Sequence, residues 1–448
     1  MISGAAVQEL LVSQHGRGLI RKDGTPFFWL GDTAWNLFHK LSREEADYYL
    51  KIRKDQQFNV VQAVLLTESD GVRTGNRYGR KPLKPGEDGV YDPAVPDEED
   101  GYSYWDHVDY IVRRAASLGI YMALLPTWGD KFNCVSGKGP EIFTEENAYV
   151  YGRWLGRRYR NDSNILWVLG GDRALHTRRH FAIIDNMARG LKEGSEGRKL
   201  LTFHPKGSIS SSHYLHEEPW LDFNMVQSGH GDLDRDNYRL ITEDYARRPV
   251  KPVLDAEPCY EDFPRGFRSE NGYFDAADVR RAAYYAVFAG AFGHTYGHQS
   301  VWIMSDGMYD SFEQSRPGAF IIMDWKTALT RPGANQMRHI RSLMESLDVT
   351  QDRVPDQELI SDNFPGANYM TATRGSSYAM IYLPNGLYVR VVMGRIAGER
   401  VRASWFSPLK GDWIGGDVYD NRGVVKFTAP SSGRGCDWVL CLNSVDKE

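Results

Sequence analysis

Between about residue 27 and residue 300 the chain alternates two hydrophobic patterns. Short, nearly all-apolar runs occur at Phe27–Leu30, Val60–Leu66, Tyr121–Leu125, Ile165–Leu169, Leu200–Phe203, Phe223–Gln227, Pro252–Leu254 and His294–Gly297. Apolar, β-branched or aromatic runs of this length are how strands covered on both faces read, as in a parallel sheet. Between them lie segments of helical period. Ser42 to Gln56 opens with Ser42-Arg43-Glu44-Glu45, a capping box. Asp106 to Leu118 carries Val108, Ile111, Val112, Ala115 and Leu118 on one stripe and stops at Gly119. Glu145 to Tyr159 follows Thr144 as N-cap, and Asp275 to Phe292 stops at Gly293. Eight strand–helix units in this span predict a (β/α)8 TIM barrel. No G-x-G-x-x-G follows the first strand, which disfavours a dinucleotide-binding sheet.

The ends of the chain follow other patterns. Residues 8–24 predict a hairpin, with Leu10–Ser13 and Leu19–Arg21 about Gly16 and Gly18. After about residue 350 helical period disappears. Short runs at Tyr369–Ala372, Tyr378–Leu383, Tyr388–Val392, Val401–Phe406, Val424–Phe427 and Trp438–Leu442 alternate with turns and predict a small C-terminal β-sandwich. The expected division is a catalytic barrel over 1–350 and a sandwich over 351–448, with Arg353-Val354-Pro355 in the linker. The stretch Thr67 to Tyr104 reads as irregular, rich in Gly and Pro. Following the second strand, it is expected to form a rim or lid over the barrel mouth.

Composition narrows the partners. The 448 residues carry 54 Lys+Arg against 59 Asp+Glu, a net charge of -5, so no basic surface for nucleic acid is expected. No run reaches the ~18 apolar residues of a membrane span. Met1 to Val12 lacks the pattern of a signal peptide, which fits a cytoplasmic protein or a secreted or periplasmic one whose signal has been removed. Cys134, Cys259, Cys436 and Cys441 form no C-x-x-C pair, and Cys436 and Cys441 are expected on opposite faces of one strand. Aromatics are abundant, with 12 Trp, 25 Tyr and 19 Phe. Core packing accounts for such an excess, and so do flat surfaces on which sugar rings stack.

In a parallel barrel the chemistry lies where strands end and βα loops begin. The residues just past the apolar runs are polar and aromatic: Asp32 with Trp35, Glu68, Thr127 with Trp128, Asp172, His204, Gln227 with His230, Glu257, and His298 with Trp302. Tyr296 joins Trp35, Trp128 and Trp302 as an aromatic at a strand end. Hydroxyl-rich ligands need such a rim, because a sugar offers donors and acceptors at its edge and an apolar C–H face. Two carboxylates stand out. Asp172 ends the fourth strand and Glu257 the seventh, on opposite sides of a barrel mouth. Glycoside hydrolysis needs a proton donor for the leaving oxygen and a second carboxylate as nucleophile or base. Asp172 also reads as a helix N-cap and Glu257 as an ion-paired strand end. Asp255 shares the face of Glu257 and is either a rival or a positioning partner. His204 reads as a substrate contact or a loop cap, and Asp32 as a sugar contact or a buried structural acid. His230, His294 and His298 lack the H-E-x-x-H spacing, so neither metal nor cofactor is expected. The other classes compatible with this reading are a non-catalytic carbohydrate-binding barrel and a metal-assisted barrel hydrolase. An oligosaccharide or polysaccharide is the expected partner.

The run Phe27-Phe28-Trp29-Leu30-Gly31-Asp32-Thr33-Ala34-Trp35, the segment Ile165 to Asp172 and Glu257-Pro258 resemble the apiosidase-like glycoside hydrolases, within the broad clan of retaining-glycosidase barrels. The resemblance covers about residues 8 to 345. Trp405-Phe406-Ser407-Pro408 and Phe427-Thr428-Ala429-Pro430, with Asp437-Trp438-Val439-Leu440, resemble the C-terminal module named for collagen binding. The resemblance implies a retaining mechanism, with Asp172 at the acid/base position and Glu257 at the nucleophile position. The wider clan usually has Glu preceded by Asn at the acid/base position, where this chain has Gly171-Asp172.

Overall fold

A computed structural model describes residues 7–99, 101–231, 235–307, 321–346 and 352–445. Eight parallel strands form the barrel: β1 (Trp29–Thr33), β2 (Val60–Val64), β3 (Tyr121–Leu125), β4 (Ile165–Gly170), β5 (Leu201–His204), β6 (Asn224–Gln227), β7 (Val253–Asp255) and β8 (Gly293–Tyr296). The ladder runs β5-β4-β3-β2-β1-β8-β7-β6, and the antiparallel Ile209–Ser210 pairs with β6. Between β5 and β6 the ring is closed by local bonds instead of a ladder. The Asp222 amide donates to the Leu201 carbonyl at 2.8 Å and Thr202 Oγ1 to the Phe223 carbonyl at 2.6 Å. Every residue of these strands is buried, which is why their sequences read as unbroken apolar runs.

The first strand differs from its expected limits. Pro26–Phe27 belongs to a three-stranded antiparallel sheet with Leu10–Val12 and Leu19–Arg21, and β1 starts two residues later. It then continues through Asp32 and Thr33, whose polarity made the strand look finished at Leu30. The N-terminal sheet packs against the start of β3, where Phe27 and Tyr121 meet edge to face at 5.0 Å.

The helices follow their caps. Arg43–Asp55 has the Ser42/Glu45 capping box, with Ser42 N donating to Glu45 Oε2 at 3.0 Å. Tyr104–Ser117 starts two residues earlier than the apolar stripe implied, because Ser103 and Asp106 form a second capping box. Glu145–Arg158 starts behind Thr144, and Ala276–Phe288 starts behind Asp275 but ends ahead of Gly290. The expected irregular segment after β2 holds an antiparallel pair, Leu83–Pro85 with Tyr91–Pro96, tied to the helix Glu145–Arg158 where Asn147 donates to Asp92.

The C-terminal part is a sandwich. A six-stranded antiparallel sheet (Val354–Pro355, Thr371–Arg374, Tyr378–Leu383, Trp438–Val445, Arg400–Phe406, Trp413–Asp420) packs on the pair Tyr388–Val392 and Val424–Thr428. Ala372, Ile381, Leu383, Val389, Val391, Phe427 and Leu440 fill its core. The edge strand Trp413–Asp420 escaped the pattern because it is largely solvent-facing and holds Gly415-Gly416. Cys436 precedes the last strand instead of sharing it with Cys441, and all four cysteines are free thiols. The sandwich docks on the helix Ala276–Phe288. Tyr284 stacks on Tyr382 at 5.0 Å, and the Arg280 guanidinium bonds both Asp437 oxygens at 2.6 and 3.1 Å with both side chains buried.

Candidate active site

The end of β4 makes an unusual turn. Gly170, Gly171 and Asp172 have φ of 90°, 110° and 55°, three successive residues in the left-handed half of the map. Only glycine enters that region freely, and among other residues Asp is one of the most tolerant. Space demands glycine too. A Cβ on Gly170 would lie 2.5 Å from the His204 carbonyl oxygen, and one on Gly171 2.9 Å from the Gly129 amide nitrogen. The turn is pinned on both sides, with Gly171 N donating to His204 O and Gly129 N to Gly171 O, each at 3.1 Å. Asp172 is thereby delivered to the barrel mouth. It caps no helix: the next one, Arg178–Gly194, starts behind Thr177, whose side chain accepts from His180 N.

Glu257 stands two residues beyond β7. The backbone before it is fixed by Ala256 N donating to Val226 O at 2.8 Å and by Gln62 Nε2 donating to Ala256 O at 3.0 Å. Its carboxylate meets two imidazoles: His230 Nε2 lies 3.2 Å from Oε1 and His204 Nε2 2.8 Å from Oε2. Asp255 lies apart from this pair. It is fully buried, accepts from Ser228 Oγ and Asn237 Nδ2 at 2.8 Å each, and lines no part of the mouth. It is therefore not a rival for the exposed chemistry.

Asp172 and Glu257 share one cavity of about 350 Å3 with Trp35, Trp128, Gln227, His230 and Trp302. Their environments push them in opposite directions. Burial, and then the charge of Glu257, raise the pKa of Asp172, against the pull of Arg173, His204 and a hydrogen bond from Gln227. Asp172 nonetheless keeps 37% of its side-chain surface accessible, so it faces the cavity. Burial would raise Glu257 as well, but the hydrogen bonds and charges of His204 and His230 outweigh it and hold the carboxyl well below the usual range. Arg173 lies against Asp172, its Nη1 donating to the Asp172 carbonyl at 2.8 Å and lying 3.3 Å from Oδ2.

The structure sorts the remaining candidates by depth. Trp35 and Trp128 lie 5.3 Å apart, and both pack on the His204 ring, which is fully buried behind them. Asp32, Tyr296 and His298 do not line the cavity. Asp32 lies within β1 and accepts from Tyr49 and Arg53 at 2.6 Å each. Tyr296 donates to Glu261 at 2.6 Å. His298 accepts from Ser300 N, so its Nε2 donates to Asp262 at 2.9 Å. Each is fully buried and satisfies a charge below the mouth, which a reading of strand-end polarity does not distinguish from a ligand contact. No group of three His, Cys, Asp or Glu side chains among the described residues is arranged to hold a metal ion.

Other cavity residues lay outside the sequence candidates. Tyr260, Phe263 and Phe267 follow Glu257 closely and form one wall; that aromatic spacing after the seventh strand was a usable signal. Burial, and then Glu257, push the Tyr260 phenol well above its ordinary value. Among the described residues of Thr67 to Tyr104, Glu68 lines the cavity. A second cavity, of about 260 Å3 at the opposite end of the barrel, is lined by residues such as Arg17, Phe27, Phe292 and Arg353 and by no carboxylate among the described residues.

A β/α barrel with two oppositely biased carboxylates at its carboxyl end, walled by tryptophans, has the layout of a glycoside hydrolase. The comparisons agree. The family model for the apiosidase-like catalytic domain matches residues 13–351, and the chain belongs to that family of glycosidases. The model described as "Putative collagen-binding domain of a collagenase" matches residues 354–443. Among solved structures, a glycoside hydrolase family 5 protein from Bacteroides vulgatus is 34% identical over 98% of this chain and 94% of its own, with a TM-score of 0.88. Another, titled glycoside hydrolase, is 34% identical over 98% of each chain, with a TM-score of 0.86. An endo-1,4-β-mannanase from Rhizomucor miehei shares the fold at 13% identity, covering 74% of this chain and 99% of its own at a TM-score of 0.50. A search of curated proteins returns no match.

Proposed function

We propose that this glycosidase cleaves an O-glycosidic bond of a plant-type or bacterial glycan by retaining double displacement, in the manner of apiosidase-like enzymes. Glu257 attacks the anomeric carbon while Asp172 gives its proton to the departing glycosidic oxygen. Asp172 then takes a proton from water, which adds to the anomeric carbon and releases Glu257. The observation that carries this reading is the split between the two carboxylates in one cavity, Asp172 biased towards its protonated form and Glu257 towards its ionised form. A general acid needs the first bias and a nucleophile the second. Trp35, Trp128, Gln227, His230 and Trp302 bind the sugar, and His204 positions Glu257 from beneath.

The test is a screen of pectic and hemicellulosic oligosaccharides with the product anomer followed by proton NMR. The expected first product keeps the substrate's anomeric configuration; the opposite anomer would overturn the retaining assignment. Glu257→Gln is expected to abolish turnover. Asp172→Asn is expected to spare only substrates with activated leaving groups. Glycan binding without turnover by the unmodified protein would make it a binding barrel instead.

A further inference from the structure

Several polar atoms in the cavity lining are buried without a hydrogen-bond partner, His230 Nδ1 and Tyr260 Oη among them, and two belong to Gln227 and Trp128. Gln227 and Trp128 are each 4% exposed, both line the cavity, and Gln227 Oε1 and Trp128 Nε1 are buried without a hydrogen bond. Buried polar atoms are almost always paired, so an unpaired acceptor and an unpaired donor on one cavity wall call for a reason. The orientation of the Gln227 amide is set by Asp172. The bond between them lowers the pKa of Asp172, as a donor to the carboxylate does, so the amide nitrogen faces Asp172 and Oε1 is the end left over. Trp128 is held by the tilted Trp35 ring, 5.3 Å from its own, and by the Gly129–Gly171 bond next to it.

We infer that Gln227 and Trp128 select the sugar: Gln227 Oε1 accepts from the hydroxyl on the carbon next to the anomeric centre, and Trp128 Nε1 donates to a second hydroxyl of the same ring. The inference rests on the glycosidase reading. It assigns the first contact to that hydroxyl because Gln227 touches the acid that works on the anomeric carbon's leaving oxygen. A site built to pair with a hydroxyl discriminates strongly against the analogue that lacks it, because the site's own polar atom is then stranded.

The experiment is a double-mutant cycle between protein and substrate. From a panel of 2,4-dinitrophenyl pentosides and hexosides, the one with the highest kcat/KM is compared with its 2-deoxy counterpart on the wild type and on Gln227→Met. The activated leaving group needs no proton, so any effect of Gln227 through Asp172 drops out. Gln227→Met is expected to lower kcat/KM on the parent by roughly 10–100-fold, and on the 2-deoxy substrate by about twofold or less. Trp128→Phe is expected to show the same coupling with one of the other monodeoxy analogues. Comparing two substrates on one preparation cancels any loss of folded protein. Equal losses on parent and deoxy substrates, or none on either, would overturn the inference while leaving the glycosidase reading intact. A wild type that turns over no glycoside in the panel or in plant oligosaccharides would instead overturn that reading, and the inference with it.

Discussion

Nε2 of His204 lies 2.8 Å from Oε2 of Glu257, while its Nδ1 lies 3.0 Å from the carbonyl oxygen of Pro205. A carbonyl only accepts, so Nδ1 carries a proton. Nε2 thus lies within ion-pair distance of the carboxylate, with both side chains buried, and His204 is among the causes that hold the Glu257 carboxyl low. Replacing His204 by Ala is expected to shift the acidic limb of the kcat/KM profile upwards, towards the ~4.3 of an ordinary Glu. It is also expected to lower kcat/KM by roughly 10–100-fold. A pH–rate profile checks both. A limb that stays in place would show that His204 only fills space.

In the proposed mechanism turnover needs Asp172 protonated and Glu257 ionised, so the rate is expected to fall as pH drops through the lowered pKa of Glu257 and as it rises through the raised pKa of Asp172. The Glu257 charge is one cause of the second shift. Neutralising it in Glu257→Gln is therefore expected to lower the pKa of Asp172, which carboxyl carbon NMR of the two proteins would read directly.

Asp255 sets a stability effect of the opposite kind from the usual carboxylate. Burial pushes its pKa from 3.8 to about 6, although Asn237 and Ser228 bond to it. The folded state thus holds this proton over a range in which the unfolded chain has released it. Its contribution to stability is present below about pH 4 and is lost as pH rises through about 6. In Asp255→Asn this dependence is expected to disappear, so the variant gains on the wild type by roughly 3 kcal/mol between pH 4 and pH 7. Urea unfolding at the two pH values measures the difference. A constant gap would exclude the proposed titration.

Asp32 and Arg53 form a fully buried pair at 2.6 Å behind β1. Removing one member strands the other. Arg53→Met is expected to cost roughly 3–5 kcal/mol of stability. Because the pair lies outside the cavity, KM of the protein that does fold is expected to stay within about twofold. Denaturant melts and initial rates on the same samples test the two statements together.

The sandwich and barrel share a similar device. Arg280 of the barrel is matched by Asp437 of the sandwich, and Tyr284 stacks on Tyr382 next to them. A chain ending near residue 350 would leave Arg280 without its carboxylate and expose an aromatic face. It is expected to be insoluble or to unfold at a markedly lower temperature than the full chain, whereas Asp437→Asn is expected to show an intermediate loss. A soluble, equally stable truncation would show that the sandwich is no buttress.

Much of the architecture was legible in the chain because barrel strands are buried on both faces and their apolar runs have few other uses. The capping residues Ser42 and Thr144 marked helix starts to the residue, since their side chains bond the amides just after them. The exceptions were elements whose pattern is masked by exposure, such as Trp413–Asp420, or by buried polarity, as at the end of β1.

The two carboxylates and the wall of Trp35, Trp128 and Trp302 followed from where strands end, a one-dimensional property. Which polar residue faces the ligand did not. Asp32, Tyr296 and His298 occupy strand-end positions much as Gln227 and His230 do, yet their partners Arg53, Glu261 and Asp262 lie close only after folding. Asp255 and Glu257 differ by two residues in sequence, and one is sealed beneath Ser228 while the other meets two histidines in a cavity. Sequence alone determined the barrel, its appended sandwich and the chemical types at the mouth, because these depend on local periodicity. The ionisation of each acid, and the direction in which each side chain points, depend on charges brought together from distant strands, and only the tertiary structure decided them.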